Sequence, residues 1–204
     1  MLPQKRRELV LPANCSEKKL CVAFFDADNT LRETHSKKRS PHGRHDVLIF
    51  RHTADKLRAL TEAGWLLAIV SNQAGISLGY ISSNEVEEAM QETICQFAEL
   101  GAIFNYYDYA ENYDENRKPA CEMAWRLERK LHQHKRRIDW QQSFMVGDAA
   151  WKKARDLQPD GSPGEDHSAA DRIFAENIAL KHPGFGFFHP RDFFGKLHGK
   201  FNAR

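Results

Sequence analysis

Two carboxylates follow the first apolar run of the chain, at the point where a strand would end. Residues 20–25 are continuously apolar, and Asp26 and Asp28 come shortly after them. Such a run is typical of a strand that is buried on both faces. A carboxylate placed there can attack phosphorus and become an aspartyl phosphate, and a second can protonate the departing alkoxide and then activate water. The sequence therefore predicts Asp26 as a nucleophile and Asp28 as a general acid and base.

Further polar groups lie where later strands should end or a helix should begin. Ser71 and Asn72 follow an apolar run at 65–70, and Lys118 stands directly before the third predicted helix. Asp148 follows another apolar run. Because the carboxyl ends of parallel strands form one edge of a sheet, all these groups should meet there. Lys118, Ser71 and Asn72 would bind the oxygens of a phosphate at that edge.

A carboxylate nucleophile needs a cation beside it, because it must approach a phosphate dianion. At about 4 Å and an effective dielectric constant near 20, each pair of like unit charges costs about 4 kcal/mol. A magnesium ion held by oxygen ligands would offset this repulsion. We expect Asp26, Asp148 and the backbone carbonyl of Asp28 to supply those ligands, which makes Mg²⁺ the predicted cofactor.

The apolar pattern along the chain alternates between strand and helix. Strands are predicted at 20–25, 65–70, 102–110, 143–146 and 185–188, and helices after residue 53, after the Ser82–Glu85 capping box, near Met123 and at 168–177. Alternation of this kind predicts an α/β protein with a central, mostly parallel sheet and helices on both faces, a three-layer Rossmann-like fold. The gaps between the site residues leave no room for a large cap domain. Residues 1–19 are interpreted as a loose basic arm before a single domain at 20–204.

Two segments are locally basic, although the whole chain is nearly neutral, with 30 Lys+Arg against 28 Asp+Glu. Residues 32–52 carry six basic and two acidic side chains. They are predicted to form an exposed loop or small hairpin that contacts nucleic-acid phosphates, with Arg44 as a candidate contact. Residues 126–137 are interpreted first as the wet face of an amphipathic helix. A zinc site at His42 and His45 is a weaker alternative to a basic loop.

The motifs in chain order resemble the haloacid dehalogenase (HAD) phosphohydrolase superfamily. The motifs that carry this resemblance are Phe25-Asp-Ala-Asp-Asn-Thr-Leu31, Ser71-Asn-Gln73, Lys118-Pro119 and Gly147-Asp148. Longer segments resemble the 3′-phosphatase domain of polynucleotide kinase 3′-phosphatases. These segments are Ser71-Asn-Gln-Ala-Gly-Ile76, Asn116-Arg-Lys-Pro119, Val146-Gly-Asp-Ala-Ala150, Ser168-Ala-Ala-Asp-Arg-Ile-Phe-Ala-Glu-Asn177 and Pro190-Arg-Asp-Phe-Phe194.

This resemblance implies an enzyme that removes 3′-phosphates from DNA ends, and from RNA as a further candidate, with Mg²⁺ during strand-break repair. By the family pattern Asp26 is the nucleophile and Asp28 the acid and base. Asp26, Asp28 and Asp148 hold the metal, Asp166 is a candidate second acid near it, and Arg117 is a candidate substrate contact. Asp171 is expected to form an ion pair with Arg172 that orients the last helix. A phosphate-binding GxxxxGK[ST] loop does not occur in the sequence, so a stand-alone phosphatase is expected.

Two alternatives remain open at this stage. The first is a small-molecule HAD phosphatase acting on histidinol phosphate or a sugar phosphate, although residues 109–117 lack the cysteines typical of a zinc loop. The second is a module that binds strand ends without catalysis. The four cysteines are widely spaced and are interpreted as reduced thiols, and the basic N-terminus is not followed by a signal-peptide core. An intracellular monomer, cytoplasmic or nuclear and without a membrane partner, is expected.

Overall fold

The computed structural model describes residues 5–12, 17–150 and 168–195. The strands in these residues are β1 (Lys19–Leu20), β2 (Val22–Phe25), β3 (Arg32–Thr34), β4 (Val47–Ile49), β5 (Leu66–Asn72), β6 (Phe104–Ala110), β7 (Arg137–Ile138), β8 (Phe144–Val146) and β9 (Gly186–Phe188). The α-helices are α1 (Ala54–Glu62), α2 (Ser83–Glu99), α3 (Glu122–Gln133), α4 (Ala170–Lys181) and α5 (Pro190–Phe194).

Five of the strands form one parallel sheet, in the order β6-β5-β2-β8-β9. The central strand β2 pairs with β5 on one side and with β8 on the other. In this register Phe25 stands opposite Ile69 and Val146. The residues that follow these three strands therefore share one edge of the sheet, as the sequence predicts.

Alternating side chains of the sheet fill two separate cores. Phe25 belongs to the core that includes residues of α1 and α2, whereas Phe24 belongs to the core that includes residues of α3 and α4. Both rings are fully buried, and each such burial contributes about 1.5–3 kcal/mol. The sheet thus forms the middle of three layers, which confirms the predicted architecture. The described residues contain no inserted domain large enough to cap the sheet edge.

The start of α2 is fixed by the predicted capping box. Ser82 Oγ accepts a hydrogen bond from the Glu85 N–H at 3.2 Å, and the Ser82 N–H donates to Glu85 Oε2 at 2.8 Å. These bonds satisfy groups that a helix start leaves without intrahelical partners, a contribution of about 1 kcal/mol.

None of the helices in the described residues is both long enough and apolar enough to span a lipid bilayer.

The basic segment 32–52 is a small hairpin, but much of it is buried. β3 and β4 pair antiparallel, and Arg32, Val47 and Ile49 are shielded from solvent. Asp46 holds the connecting loop together, since its carboxylate accepts from the N–H and hydroxyl of Ser36 and from the N–H of His42. The expectation of a uniformly exposed loop is therefore wrong, because this hairpin packs against α2.

The segment at residues 5–12 lies along β6. The N–H groups of Arg7 and Val10 donate to the carbonyls of Tyr107 and Asn105, each at 2.9 Å. Asp108, which is fully buried, forms ion pairs with the guanidinium groups of Arg7 and Arg126. The prediction of a loose arm is therefore wrong for residues 5–12, because β6 offers them backbone partners and a buried carboxylate.

Candidate active site

Asp26 occupies the first position beyond the central strand. Its N–H donates to the carbonyl of Val146 at 2.9 Å, which ties the residue to the end of β8. The residue is 8% exposed, so it is largely removed from water while still reachable. The parallel pairing of β2 with both neighbours places this carboxylate at the middle of the sheet edge.

The ammonium group of Lys118 contacts three oxygen atoms from different parts of the fold. Nζ lies 2.6 Å from Asp26 Oδ1, 2.6 Å from Asp171 Oδ1 and 2.7 Å from the carbonyl oxygen of Val70. The side-chain amide of Asn72 brackets the Lys118 backbone, accepting from its N–H at 2.9 Å and donating to its carbonyl at 3.0 Å. Asn72 therefore positions Lys118, and its contact with a phosphate stays a prediction.

Asp171 is a site residue that the sequence analysis assigned to another task. The expected ion pair with Arg172 is absent from the described contacts, in which Arg172 binds Glu176 at 2.7 Å. Asp171 is 1% exposed and binds Lys118, and its Oδ2 also accepts from the N–H of Ala149 at 3.0 Å. The first turn of α4 thus brings a carboxylate back to the end of β8.

Gly147 makes this approach of Asp171 possible. A Cβ atom at position 147 would lie 2.3 Å from Asp171 Oδ2, well inside contact distance. The sequence holds a signal for this role of Asp171. Gly147 stands directly before Asp148, and Asp171 follows some twenty residues later in the first turn of a helix.

Three carboxylates converge beside the one ammonium group. Ligand oxygens of Asp26, Asp148 and Asp171 all lie within 4.8 Å of one another. Burial raises the pKa of Asp26 to about 6, with Lys118 opposing and the neighbouring Asp171 and Asp28 adding to the effect. Burial and then the charges of Asp26 and Asp171 hold the pKa of Asp148 well above its usual range.

Lys118 remains charged in this setting and leaves the group with excess negative charge. Burial lowers its pKa, but Asp171 and Asp26 outweigh this effect and the pKa is raised. Among the described residues, the single positive charge of Lys118 cannot neutralise three ionised carboxylates, and a small divalent cation would compensate the remaining negative charge. Carboxylate oxygens are also the ligands that Mg²⁺ prefers. The donor set therefore fits Mg²⁺, with Asp171 in addition to Asp26 and Asp148.

The carboxylate of Asp28 belongs to a different network, two residues from Asp26. Its Oδ1 accepts from Arg32 Nε at 2.9 Å, and its Oδ2 accepts from Gln73 Nε2 at 2.8 Å and from Ser40 Oγ at 3.2 Å. Arg32 is fully buried, and its Nη1 donates to Thr93 Oγ1 on α2 at 2.9 Å. The two neighbouring carboxylates are therefore held by separate cations, Lys118 and Arg32.

Two further polar residues complete the sheet edge. Ser71 is buried, and its Oγ accepts from Gln73 Nε2 at 3.1 Å, so Gln73 links it to Asp28. Asn29 has a φ of 59°, a left-handed conformation that Asn tolerates better than most residues. Its Nδ2 donates to Asp148 Oδ2 at 3.2 Å. Asn29, Arg32 and Gln73 were not predicted as site residues.

The remaining candidate residues are less closely tied to this edge. Arg44 is exposed in a short 3₁₀ turn, and Arg117 packs over the Tyr113 ring at 4.5 Å. Asp166 lies outside the described residues. In the basic segment 126–137, Arg137 lies in β7, which pairs with β1 in a separate two-stranded sheet. These two short strands directly precede β2 and β8 in the chain, at the ends opposite to those that carry the carboxylates. That segment thus extends away from the carboxylates.

The carboxylate cluster predicts a pH dependence of stability in the metal-free protein. The folded pKa of Asp26 is about 6, above the unfolded value of about 3.9, so its contribution to the free energy of unfolding is present below pH 4 and lost as pH rises through 6. Asp26→Asn cannot titrate. Between pH 4 and 7 in EDTA, wild type should therefore lose about 2 kcal/mol relative to this variant. Chemical denaturation of both proteins measures their free energies of unfolding at each pH. If the two free energies change with pH in parallel, the burial of an ionisable Asp26 is contradicted.

Comparison with known proteins identifies the family. The family model for the polynucleotide kinase 3 phosphatase matches residues 21–194. An uncharacterised 20.8 kDa protein of Autographa californica nuclear polyhedrosis virus is 32% identical over 176 residues, covering 86% of each chain. Polynucleotide 3′-phosphatase ZDP of Arabidopsis thaliana is 29% identical over 89% of this chain, which spans 24% of that protein.

Other relatives carry small-molecule phosphatase names. D-glycero-beta-D-manno-heptose-1,7-bisphosphate 7-phosphatase of Haemophilus ducreyi is 29% identical over 62% of this chain and 71% of its own length. Among known structures, a putative HAD-like phosphatase of Mesorhizobium loti superposes with a TM-score of 0.64 at 18% identity, covering 88% of this chain and 76% of its own. The fold is thus that of HAD phosphatases. The chain belongs to the polynucleotide kinase 3′-phosphatase family of HAD phosphohydrolases, and it is a phosphoric monoester hydrolase.

Proposed function

We propose that the protein is a Mg²⁺-dependent polynucleotide 3′-phosphatase that works through an aspartyl phosphate on Asp26, in the repair of strand breaks. The observation that carries this proposal is the surface next to Asp28, where Lys37, Lys38 and Arg39 flank a sheet edge that residues 5–12, 17–150 and 168–195 leave without a cap domain. An open edge admits the end of a polymer, and basic side chains beside it favour a polyanion. The family match over residues 21–194 supports the same substrate class.

In the first step a carboxylate oxygen of Asp26 attacks the phosphorus and the bond to the 3′-oxygen breaks. The leaving oxygen takes a proton from the carboxyl group of Asp28, so the nucleic acid departs with a free 3′-hydroxyl. Asp28 has the contacts for both protonation states. When it is ionised, Ser40 Oγ can donate to it, and when it is protonated Ser40 can accept and turn its own hydrogen to Gln73 Oε1, 2.9 Å away.

In the second step water cleaves the aspartyl phosphate. The carboxylate of Asp28 takes a proton from the water, whose oxygen attacks phosphorus, and the Asp26 carboxylate is released together with inorganic phosphate. The Lys118 ammonium holds Asp26 in place and contributes positive charge beside the phosphoryl group. The Ser71 hydroxyl offers a hydrogen-bond donor to a phosphoryl oxygen. Bound Mg²⁺, which Asp26, Asp148 and Asp171 would hold, supplies the positive charge that offsets the repulsion between carboxylate and phosphate.

A second candidate function is hydrolysis of a sugar bisphosphate. It is favoured by the relatives named as heptose-1,7-bisphosphate 7-phosphatases, including those of Haemophilus ducreyi and Haemophilus influenzae. The catalytic steps would be the same, because both substrates are alkyl phosphomonoesters. Only the group beyond the ester oxygen differs.

The two candidates are separated by assaying one preparation on matched substrates. We expect a 3′-phosphorylated oligonucleotide to be hydrolysed with a kcat/KM at least about a hundredfold above that of a heptose bisphosphate, a discrimination of about 3 kcal/mol. Activity should require Mg²⁺ and disappear in Asp26→Asn, while the far-ultraviolet circular dichroism of this variant stays unchanged. A preference for the heptose bisphosphate would overturn the polynucleotide assignment, and an active Asp26→Asn would overturn the mechanism.

The ion pair between Arg32 and Asp28 predicts a loss that depends on the leaving group. A positioned general acid contributes about 10²–10⁴-fold when the departing oxygen needs a proton. Arg32→Met should therefore lower kcat/KM about a hundredfold for the alkyl ester of the oligonucleotide, but less than about tenfold for 4-nitrophenyl phosphate, whose phenolate leaves without a proton.

The control for this measurement is Arg58→Met, which removes a surface arginine of α1 paired with Asp55. It should leave both rates unchanged. Arg32→Lys keeps the charge, but one ammonium group cannot reach both Asp28 and Thr93. For this variant, the ratio of the kcat/KM loss on the oligonucleotide to that on 4-nitrophenyl phosphate should lie between those of wild type and Arg32→Met. Equal losses on the two substrates would show that Arg32 acts only on the fold.

A further inference from the structure

A cavity of about 150 Å³ opens beside the carboxyl group of Asp28. This is roughly ten times the space that one water molecule needs, so the cavity can admit a larger group. Its lining contains two acidic and four basic side chains, together with two polar ones. The residues are Asp28, Asn29, Arg32, Glu33, Thr34, Lys37, Lys38 and Arg39.

The excess positive charge of the lining belongs to two residues. Asp28 is paired with Arg32, and Glu33 lies 3.9 Å from Lys37. Within the described part of the chain, Lys38 and Arg39 have no carboxylate partner. A group bound in the cavity would therefore meet a net charge of +2, which favours an anion.

One of the lining residues, Arg32, also has a buried donor. The Arg32 side chain is fully buried, and its Nη2 has no hydrogen-bond partner among the described residues. Its Nε and Nη1 are committed to Asp28 and Thr93. A buried N–H without a partner is costly, and an anionic oxygen would satisfy it.

The basic loop is held in place before any substrate binds. Thr34 Oγ1 donates to the carbonyl of Lys38 at 2.8 Å, and Ser40 Oγ lies within hydrogen-bond distance of Asp28 and Gln73. Asp46 closes the other side of the loop through Ser36 and His42. These bonds reduce the ordering cost of binding, because the cationic residues stay next to the acid.

We propose that this cavity is a second phosphate subsite, which binds the phosphodiester that links the terminal nucleotide of the substrate to the rest of the chain. Asp28 faces the leaving group in the proposed mechanism, so a cavity beside it lies on the side of the substrate that departs. The inference rests on the proposed function and names a second contact of the same substrate. If the substrate is a sugar bisphosphate, the subsite would bind the phosphate group that is not hydrolysed.

The test removes one negative charge from the substrate. Two 3′-phosphorylated dinucleotides are compared, one with a natural phosphodiester and one with an uncharged methylphosphonate. Wild type should prefer the diester by about tenfold in kcat/KM, the effect of one charge-assisted contact. The double variant K38A/R39A should hydrolyse both dinucleotides with nearly equal kcat/KM.

The matched control is K135A/R137A, which removes two exposed basic side chains at or near β7, in the separate two-stranded sheet that β7 forms with β1. It should keep the tenfold preference for the diester.

The salt dependence gives a second readout. A subsite that neutralises one phosphate of a single strand contributes about −0.7 to the slope of log affinity against log salt concentration. K38A/R39A should therefore show a slope shallower by about 0.7 than wild type.

The outcomes separate the subsite from the proposed function. If wild type hydrolyses the dinucleotides but K38A/R39A keeps the full preference for the diester, the subsite is overturned and the polynucleotide function stands. If wild type hydrolyses neither dinucleotide, the polynucleotide function fails, and the variants are compared on a heptose bisphosphate and its monophosphate. Loss of the bisphosphate preference in K38A/R39A would then support a sugar-phosphate subsite, and an unchanged preference would overturn it.

Discussion

The ammonium group of Lys118 holds together the part of the molecule on which everything else depends. It contacts the carboxylates of Asp26 and Asp171 and the carbonyl of Val70, and so joins the end of β2, β5 and the first turn of α4. Like charges at about 4 Å repel by about 4 kcal/mol per pair at an effective dielectric constant of 20. One ammonium offsets only part of this repulsion among three carboxylates. The residual negative charge makes the site suited to a divalent cation.

The division of labour between Asp26 and Asp28 follows from their surroundings. Both follow β2, yet one faces Lys118 and two other carboxylates, whereas the other is held by Arg32, Gln73 and Ser40. Two carboxyl groups in contrasting environments can serve as nucleophile and as acid and base at the same pH. The tight turn that follows Asp26 creates the contrast, because the Asn29 N–H donates to the carbonyl of Arg32 and the Arg32 N–H donates to the carbonyl of Ala27 across it.

Most of the sheet and half of the site could be predicted from the chain itself. Apolar runs identify the strands, and a polar residue at the end of each run belongs to the shared edge, which is why Asp26, Ser71 and Asp148 were found. Asp171 escaped this reasoning, since it reaches the edge from a helix and only because Gly147 lacks a Cβ. Arg32 lies in a basic segment for which the sequence predicts exposure. The sequence does not indicate that its guanidinium is buried and donates to Thr93 on α2.

Under the proposed function, the rim of the site selects the substrate and the carboxylate cluster does not. The same carboxylates and lysine would serve a polynucleotide end or a sugar phosphate, as the mixture of relatives suggests. The rim of this chain is basic and open, with Lys38 and Arg39 beside the acid. The proposed function therefore assigns specificity and chemistry to separate groups of residues.

The electrostatic account of the cluster is tested most directly by calorimetric titration of the metal-free protein with Mg²⁺ at pH 6. At that pH Asp26 is about half protonated before binding, because its pKa is about 6. Mg²⁺ should therefore displace protons, and the binding enthalpy should change with the ionisation enthalpy of the buffer. Asp26→Asn should bind Mg²⁺ more weakly and release fewer protons. A binding enthalpy that is the same in every buffer, or the absence of Mg²⁺ binding, would contradict the account.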